Sequence, residues 1–184
     1  MRIAVAVSGG GSNLQALLDA LGPGAPAEVA LVLSNTPSAG GLERARRHGV
    51  PTAVLGDPAD PAEWLAALRA HRIDLVVLAG YLKLVPAAVT AAYPGRMINI
   101  HPALLPKFGG PGMNGRRVHA AVLAAGERES GCTVHLVDEA YDRGRILAQA
   151  RVPVLPEDTP ESLAARVLAE EHRLLPKVVL ELAR

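Results

Sequence analysis

The stretch IAVAVSGGGSNLQALL, residues 3–18, decides the fold class, because it joins an unbroken apolar segment through three glycines to an amphipathic segment. Five consecutive apolar residues at 3–7 are typical of a strand buried on both faces, and such strands lie inside parallel sheets. Apolar residues recur at helical spacing from Leu14 to Leu21, and Gly22-Pro23-Gly24 is predicted to end that helix. A buried strand that leads through a short loop into a helix is the repeating unit of an α/β fold.

The same alternation continues along the chain, with glycine and proline between strand patterns and helical patterns. Further strands are predicted at 29–33, 51–55, 73–79, 97–100, 133–137 and 146–152. Further helices are predicted at 42–48, 61–71, 86–92, 116–125 and 159–183. We expect Thr159 to cap the last helix and Pro176 to kink it or divide it in two.

The second half of the chain departs from strict alternation. Residues 107–115 hold four glycines and one proline, which predicts a mobile loop. A short turn segment separates the last two strands, so an antiparallel arrangement is the simplest. We therefore expect a single domain over residues 1–184: a doubly wound, mostly parallel sheet with helices on both faces and an antiparallel C-terminal strand.

Composition narrows the function classes. Apolar residues make up 49% and charged residues 20%, as in globular proteins, and 19 basic against 18 acidic residues leave a net charge of only +1. A dedicated nucleic-acid binder carries a clear basic excess, so none is expected as a partner. The single cysteine, Cys132, suits a reducing compartment. We see neither a secretory signal nor an apolar run of the roughly 18–20 residues that span a bilayer. These features predict a cytoplasmic protein without a membrane partner.

Three loops that follow predicted strands carry the candidate chemistry, since ligands of open α/β sheets bind beyond the strands' carboxyl ends. The first is Ser8-Gly9-Gly10-Gly11-Ser12-Asn13, where glycines let the backbone approach a ligand and a helix N-terminus favours an anion. We expect Ser12 and Asn13 to add side-chain donors at the cap position. The loop predicts either a phosphate site or simply a tight strand-to-helix turn, and it matches neither the dinucleotide fingerprint nor the P-loop.

The other two loops offer acid–base groups. Asn99 and His101 point to the same face of a predicted strand, so an amide and an imidazole stand side by side and could bind an oxyanion and transfer a proton. The third loop contains Asp138, Glu139 and Asp142. A carboxylate near His101 would hold its tautomer and raise its pKa. On local pattern alone, these groups could equally be backbone-satisfying side chains and a solvated acidic turn.

Two other clusters have simpler interpretations. The spacings of His101, His119 and His135 fit no zinc pattern, so no metal is expected. Arg44, Arg46 and Arg47 are interpreted as an exposed helix face, although steering of a phosphate is conceivable.

Four blocks of sequence resemble the folate-dependent formyltransferases, and among them the phosphoribosylglycinamide formyltransferases. The blocks are SGGGSNLQALL at 8–18, LAGYLKLV at 78–85, INIHPALLPKF at 98–108 and GCTVHLVDEAYDRGRILAQ at 131–149. Their order and spacing agree with the family from Met1 to about Leu175. The resemblance implies transfer of a formyl group from 10-formyltetrahydrofolate, as co-substrate, to the amine of glycinamide ribonucleotide in purine synthesis.

The resemblance also implies roles for single positions. The catalytic trio would be Asn99, His101 and Asp142. The phosphate would lie on Gly11, Ser12 and Asn13, the ribose hydroxyls near Glu171, and the glycinamide amine between Gly80 and Pro102. The pterin would lie against Leu82, Lys83, Leu84 and Val85 and the backbone of Asp138, Glu139, Ala140 and Tyr141. The Leu105-Pro106 bond would be cis. Asn99 and a protonated His101 would stabilise the oxyanion, with Asp142 holding His101 charged.

Departures and alternatives remain on the sequence. Position 83 is Lys where relatives often have Arg, position 168 is Leu where some have Gln, and the loop at 107–117 is longer and richer in glycine. A formyltransferase for another amine, such as methionyl-tRNA or an amino sugar, is the nearest alternative enzyme. A formyltetrahydrofolate deformylase would add an N-terminal regulatory domain. A non-catalytic nucleotide-binding relative is the alternative of another class. We expect a monomer or homodimer with small-molecule substrates.

Overall fold

A computed structural model describes residues 1–184 and contains one sheet of seven strands with six helices. The strands are β1 (Arg2–Val7), β2 (Glu28–Ser34), β3 (Thr52–Val54), β4 (Leu75–Leu78), β5 (Met97–His101), β6 (Glu129–Leu136) and β7 (Ile146–Pro153). The helices are α1 (Ser12–Ala20), α2 (Gly40–Arg47), α3 (Pro61–Ala70), α4 (Ala87–Ala92), α5 (Arg116–Ala124) and α6 (Pro160–Leu182).

The strand order is β3-β2-β1-β4-β5-β6-β7. Strands β1 to β5 pair in parallel, whereas β6 is antiparallel to both of its neighbours, β5 and β7. The chain winds outward from β1 in one direction and from β4 in the other, so the order reverses between these two strands. This topology confirms the predicted doubly wound, mostly parallel sheet with an antiparallel C-terminal strand.

Helices cover both faces of the sheet. Because successive side chains of a strand point to opposite faces, alternate residues of the central strands lie in two separate cores. Ile3, Val5 and Val7 pack in a core that also holds apolar side chains of α1, α2, α5 and α6. Ala4 and Ala6 face the other core, which α3 and α4 fill with residues that include the fully buried Trp64. The double burial explains the unbroken apolar run of β1.

Several element boundaries differ from the sequence prediction, that of β6 by the most. Strand β4 is confined to Leu75–Leu78, within the predicted 73–79. Strand β6 begins at Glu129, four residues before the predicted start at 133, because Glu129, Ser130 and Gly131 pair along β7 although their composition is not that of a strand. Backbone pairing to a neighbour extends β6 beyond its apolar residues.

Helix α6 runs unbroken through Pro176, so of the two expected alternatives, a kink or a division, the division is wrong. Proline removes one hydrogen-bond donor, but Leu174, Leu175, Val178 and Val179 on both sides of it are buried and hold the helix on the sheet. Thr159 caps α6 as predicted, since its hydroxyl accepts from the Ser162 N–H at 3.2 Å. None of the helices combines the length and apolar character needed to cross a membrane.

Candidate active site

A cavity of about 600 Å³ opens where the strand order reverses, beside the loops that follow β4 and β5. Open α/β sheets bind ligands at this point. The predicted site residues that line the cavity are Asn13, Gly80, Leu82, Lys83, Leu84, Val85, Asn99, His101, Pro102, Asp138, Ala140, Tyr141, Asp142 and Glu171. Gly11, Ser12 and Glu139, which were also predicted, do not line it.

Strand β5 carries the first two groups of the predicted trio. Asn99 and His101 lie two residues apart on β5 and both border the cavity. The imidazole of His101 is 4% exposed, and its Nε2 lies 2.8 Å from the carbonyl oxygen of Phe108. Because a carbonyl can only accept, Nε2 carries the proton and Nδ1 is the basic nitrogen of the neutral ring.

Asp142 joins this pair from the connection between β6 and β7. Its Oδ2 lies 3.5 Å from His101 Nδ1, and its Oδ1 lies 3.5 Å from Asn99 Nδ2. The Gly110 N–H donates to Oδ2 at 2.9 Å. A side chain at Gly109 would stand 3.1 Å from the Asp142 Cβ, so the glycines of the 107–115 loop permit this close approach. The three side chains predicted from distant parts of the sequence therefore meet.

The route by which Asp142 arrives differs from the expectation. Because β6 is antiparallel, its carboxyl end lies beside Met97, where β5 begins, and not beside His101. The connection then folds back over β5, and Asp142 adopts a left-handed backbone conformation with φ of 56°. An aspartate tolerates this conformation better than most residues.

His135 belongs to the same cluster but was absent from the predicted catalytic set. It lies opposite Asn99 in the pairing of β5 with β6, and its Nε2 is 3.1 Å from Asn99 Nδ2 and 3.4 Å from Asp142 Oδ1. Its Nδ1 donates to the Leu136 carbonyl at 2.8 Å, so Nε2 of the neutral ring accepts from Asn99. Only the register of β5 against β6 could have revealed this contact.

Burial shifts the pKa values of His101 and Asp142. Desolvation lowers the pKa of His101 below its usual 6.5, and the Asp142 charge and the Phe108 carbonyl oppose this effect only in part. The expected rise in the His101 pKa is therefore wrong in its net direction, and the free imidazole is mostly neutral at pH 7. Burial alone would raise the pKa of Asp142, but His135, His101 and the Gly110 N–H together hold it below 3.8.

The glycine loop between β1 and α1 also differs from expectation. Gly11, with φ of 75°, is the N-cap of α1, and no side chain caps this helix. Ser12 and Asn13 lie in its first turn, so the expectation that both stand at the cap position is wrong. The amide of Asn13 donates to Glu171 Oε2 at 2.6 Å, which ties α1 to α6 at the floor of the cavity.

Glu171 is an uncommon buried acid, with only 7% of its surface exposed. Burial raises its pKa to about 7, against the opposing hydrogen bond from Asn13. The Asn13 Oδ1 atom is buried without a partner. A carboxyl group and an amide oxygen with free hydrogen-bonding capacity suit recognition of hydroxyl groups.

The other end of the cavity has an apolar wall. Leu82 and Leu84 are each about half exposed, Tyr141 is 38% exposed, and all three line the cavity. The segment is anchored at its start, because the Ser8 hydroxyl accepts from the Leu82 N–H at 2.9 Å. Exposed apolar side chains beside a cluster of polar groups suit a ligand with a flat apolar end and a reactive polar end.

Several lining residues were not in the predicted set. The loop after β5 contributes residues such as Met113 and Asn114, α5 contributes Arg116 and His119, and α6 contributes residues that include Leu168. The glycine-rich composition of the loop gave no signal for these contacts. The Leu105-Pro106 bond is cis, as the resemblance implied. No group of three or more His, Cys, Asp or Glu side chains is arranged to hold a metal ion.

Comparison with known proteins decides the family. The model of the family described as formyl transferase matches residues 1–179, nearly the whole chain.

The chain belongs to the formyl transferase family. It is 49% identical to the chloroplastic phosphoribosylglycinamide formyltransferase of Arabidopsis thaliana over 97% of this chain and 64% of that protein. The phosphoribosylglycinamide formyltransferase of Haemophilus influenzae is 40% identical over 97% of this chain and 85% of its own length. The chain spans less than two thirds of the plant relatives that it matches.

Solved structures agree with this formyl transferase fold. The crystal structure of glycinamide ribonucleotide transformylase 1 from Symbiobacterium toebii superposes with a TM-score of 0.91 at 44% identity. The match covers 100% of this chain and 87% of that one. The family resemblance predicted from the four sequence blocks is thereby confirmed.

The buried Glu171 of this formyl transferase predicts a pH-dependent stability. A carboxyl whose pKa rises from 4.5 to about 7 on folding retains its proton in the folded state, so stability is lost as pH rises through this window. We expect Glu171→Gln to raise the free energy of unfolding at pH 8 by up to about 3 kcal/mol and to change it little at pH 4. Urea denaturation at both pH values measures the difference. Glu181→Gln, on an exposed position of α6, is the control, and an equal effect at both pH values would contradict the prediction.

Proposed function

We propose that this chain transfers the formyl group of 10-formyltetrahydrofolate to the amine of glycinamide ribonucleotide, a step of purine biosynthesis. The observation that carries the proposal is the convergence of Asn99, His101 and Asp142 in a cavity that reaches Asn13, in the first turn of α1, at one end and has an apolar wall at the other. The name of the Haemophilus influenzae phosphoribosylglycinamide formyltransferase, of which the match covers 85%, supports the same formyl acceptor.

The substrates are proposed to lie along the cavity. The ribonucleotide phosphate binds the N–H groups of Gly11, Ser12 and Asn13 at the start of α1, where the helix dipole favours negative charge. Glu171 binds the ribose hydroxyls, and the glycinamide amine lies between Gly80 and Pro102. This placement is supported by Asn13 and Glu171, which border the cavity and join α1 to α6 there.

The folate occupies the apolar end. Its pterin lies against Leu82, Lys83, Leu84 and Val85 and against the backbone from Asp138 through Glu139 and Ala140 to Tyr141. Most of these residues line the cavity, which supports the assignment, whereas Glu139 contributes through its position in the turn only. The formyl carbon then lies beside the cluster on β5.

The chemistry begins when the uncharged amine attacks the formyl carbon and a carbon–nitrogen bond forms. The carbonyl oxygen becomes an oxyanion, to which the amide of Asn99 donates a hydrogen bond. Removing one such donor typically costs about 10²–10³ in rate. Much of the remaining acceleration comes from holding the two substrates in the reacting orientation.

His101 moves the proton. Because its pKa is lowered, the imidazole is neutral in the free protein and can accept the proton that the amine loses on attack. The resulting imidazolium lies next to Asp142, whose negative charge stabilises it, directly or through water. His101 then returns the proton to the folate nitrogen as the bond from that nitrogen to the formyl carbon breaks, which releases tetrahydrofolate and the N-formyl product.

We further propose that residues 1–184 act as one formyl transferase domain, in the cytoplasm, as a monomer or homodimer and without nucleic acid. No metal enters the proposed mechanism, because the folate already activates the formyl group. The near-neutral net charge and the single cysteine support these assignments.

The direct test is a spectrophotometric assay of tetrahydrofolate release. With 10-formyltetrahydrofolate alone we expect negligible turnover, and with added glycinamide ribonucleotide we expect stoichiometric formation of the N-formyl product. Turnover without the ribonucleotide would indicate a deformylase. Turnover only with another amine would show that the enzyme is a formyltransferase for that amine. No turnover with any amine would indicate a non-catalytic protein.

Replacement of Asp142 tests the proton relay. Asp142→Asn keeps an acceptor for the Gly110 N–H but removes the charge that stabilises the imidazolium. We expect kcat to fall by about 10²–10⁴-fold, the usual range for acid–base catalysis, with little change in the KM for the ribonucleotide. Glu157→Gln, which removes an exposed carboxylate elsewhere, serves as the control. Near wild-type turnover of the Asp142 variant would disprove the role.

Replacement of Asn13 tests the position of the ribonucleotide. Asn13→Ala removes a side chain at the start of α1 that lines the cavity and binds Glu171. We expect the KM for the ribonucleotide to rise about tenfold, because Glu171 loses the hydrogen bond that positions it for the ribose hydroxyls, with a much smaller change for the folate. Steady-state kinetics with each substrate varied in turn measure both. Equal effects on the two substrates would place the ribose elsewhere.

A further inference from the structure

Helix α2 packs directly against the glycine loop from the side away from the trio. The Gly41 N–H donates to the Gly9 carbonyl at 3.0 Å. A Cβ added at Gly11 would stand 2.6 Å from the Gly41 Cα, which is closer than two carbon atoms can approach. The loop and the start of α2 therefore form one backbone-to-backbone contact, and one turn further along α2 stands Arg44.

Arg44 is the one arginine of the basic run that contacts the loop, so the interpretation of all three as an exposed face is wrong for this residue. Its Nε donates to the Gly10 carbonyl at 2.7 Å, and its Nη1 donates to Gln15 Oε1 on α1 at 3.2 Å. Arg46 and Arg47 are exposed and pair only with Glu43, whereas Arg44 is half-buried and has no carboxylate partner. Its charge beside the loop is therefore not neutralised by an ion pair.

The hydrogen bond from Arg44 to the Gly10 carbonyl also fixes the direction of the Gly11 N–H, which Arg44 does not contact. A trans peptide is planar, and the C=O of one residue and the N–H of the next point in opposite directions. Holding the Gly10 carbonyl on the guanidinium therefore turns the Gly11 N–H away from α2. The Gly41 contact does the same for the Gly10 N–H by holding the Gly9 carbonyl. Neither the Gly10 nor the Gly11 N–H has an acceptor in the protein, so both are free to bind an anion.

We propose that Arg44 is a positioning residue for the ribonucleotide phosphate, which acts by pinning the Gly10–Gly11 peptide so that its N–H faces the ligand. The inference rests on the proposed function and extends it to a residue outside the cavity. Its unpaired charge adds to the positive potential at the start of α1, and an anion at that position benefits from both effects.

The test compares glycinamide ribonucleotide with glycinamide riboside, which lacks only the phosphate. Arg44→Met keeps the apolar stem and removes every donor, Arg44→Lys keeps one charged donor, and Arg47→Ala is the matched control on the same helix. We expect Arg44→Met to raise the KM for the ribonucleotide about tenfold, with kcat, the folate KM and the riboside kinetics unchanged. Arg44→Lys should recover part of the loss, and Arg47→Ala should behave as wild type.

Each outcome decides one hypothesis. If wild type prefers the ribonucleotide to the riboside and Arg44→Met retains that full preference, the role of Arg44 is overturned and the proposed function stands. If Arg44→Met weakens both ligands equally, or only lowers the melting temperature, Arg44 has a structural role and the inference is also overturned. If wild type itself does not distinguish the two ligands, the phosphate placement in the proposed function fails, and the role of Arg44 fails with it.

Discussion

The carboxylate of Asp142 is the interaction on which the site depends. Its two oxygens lie within 3.5 Å of His101 and His135, and they also accept from the backbone of Gly110 and approach the amide of Asn99. These groups come from β5, from β6 and from the loop after β5, so one side chain joins three parts of the chain. A Cβ at position 109 would crowd the Asp142 Cβ at 3.1 Å, and the aspartate itself has a left-handed backbone. The local conformation is costly for most residues, and the contacts it permits are what hold it.

Much of the fold was predictable because its physical signals are local. Strand β1 is buried on both faces and is therefore an unbroken apolar run. The start of α6 is predicted by Thr159 at the N-cap and Pro160 at the first helical position. Pairing of β6 with its neighbours is not local, so neither its true start at Glu129 nor the position of His135 opposite Asn99 could be read from the sequence. The convergence of the trio came from the family resemblance, because spacing along the chain does not bring residue 142 to residue 101.

The prediction for the pKa of His101 failed because burial, like strand pairing, is not a local property of the sequence. A nearby carboxylate favours the charged form of histidine, and the sequence suggested that this effect would dominate for His101. The folded protein buries the ring almost completely, and desolvation outweighs the attraction. Burial also keeps the proton on Glu171 to about pH 7. Burial thus limits the number of unpaired charges in the cavity.

The hydrogen bond between Asn13 and Glu171 joins residues that are 158 positions apart, and one of them lies on the last helix. On a ribosome, β1, the glycine loop and β5 emerge long before α6 does. The floor of the cavity is therefore completed only after α6 has emerged and docks beside α1. A nascent chain that has not yet reached α6 already contains all seven strands but lacks Glu171, so the residues of the sheet are made before the residue that completes the cavity floor.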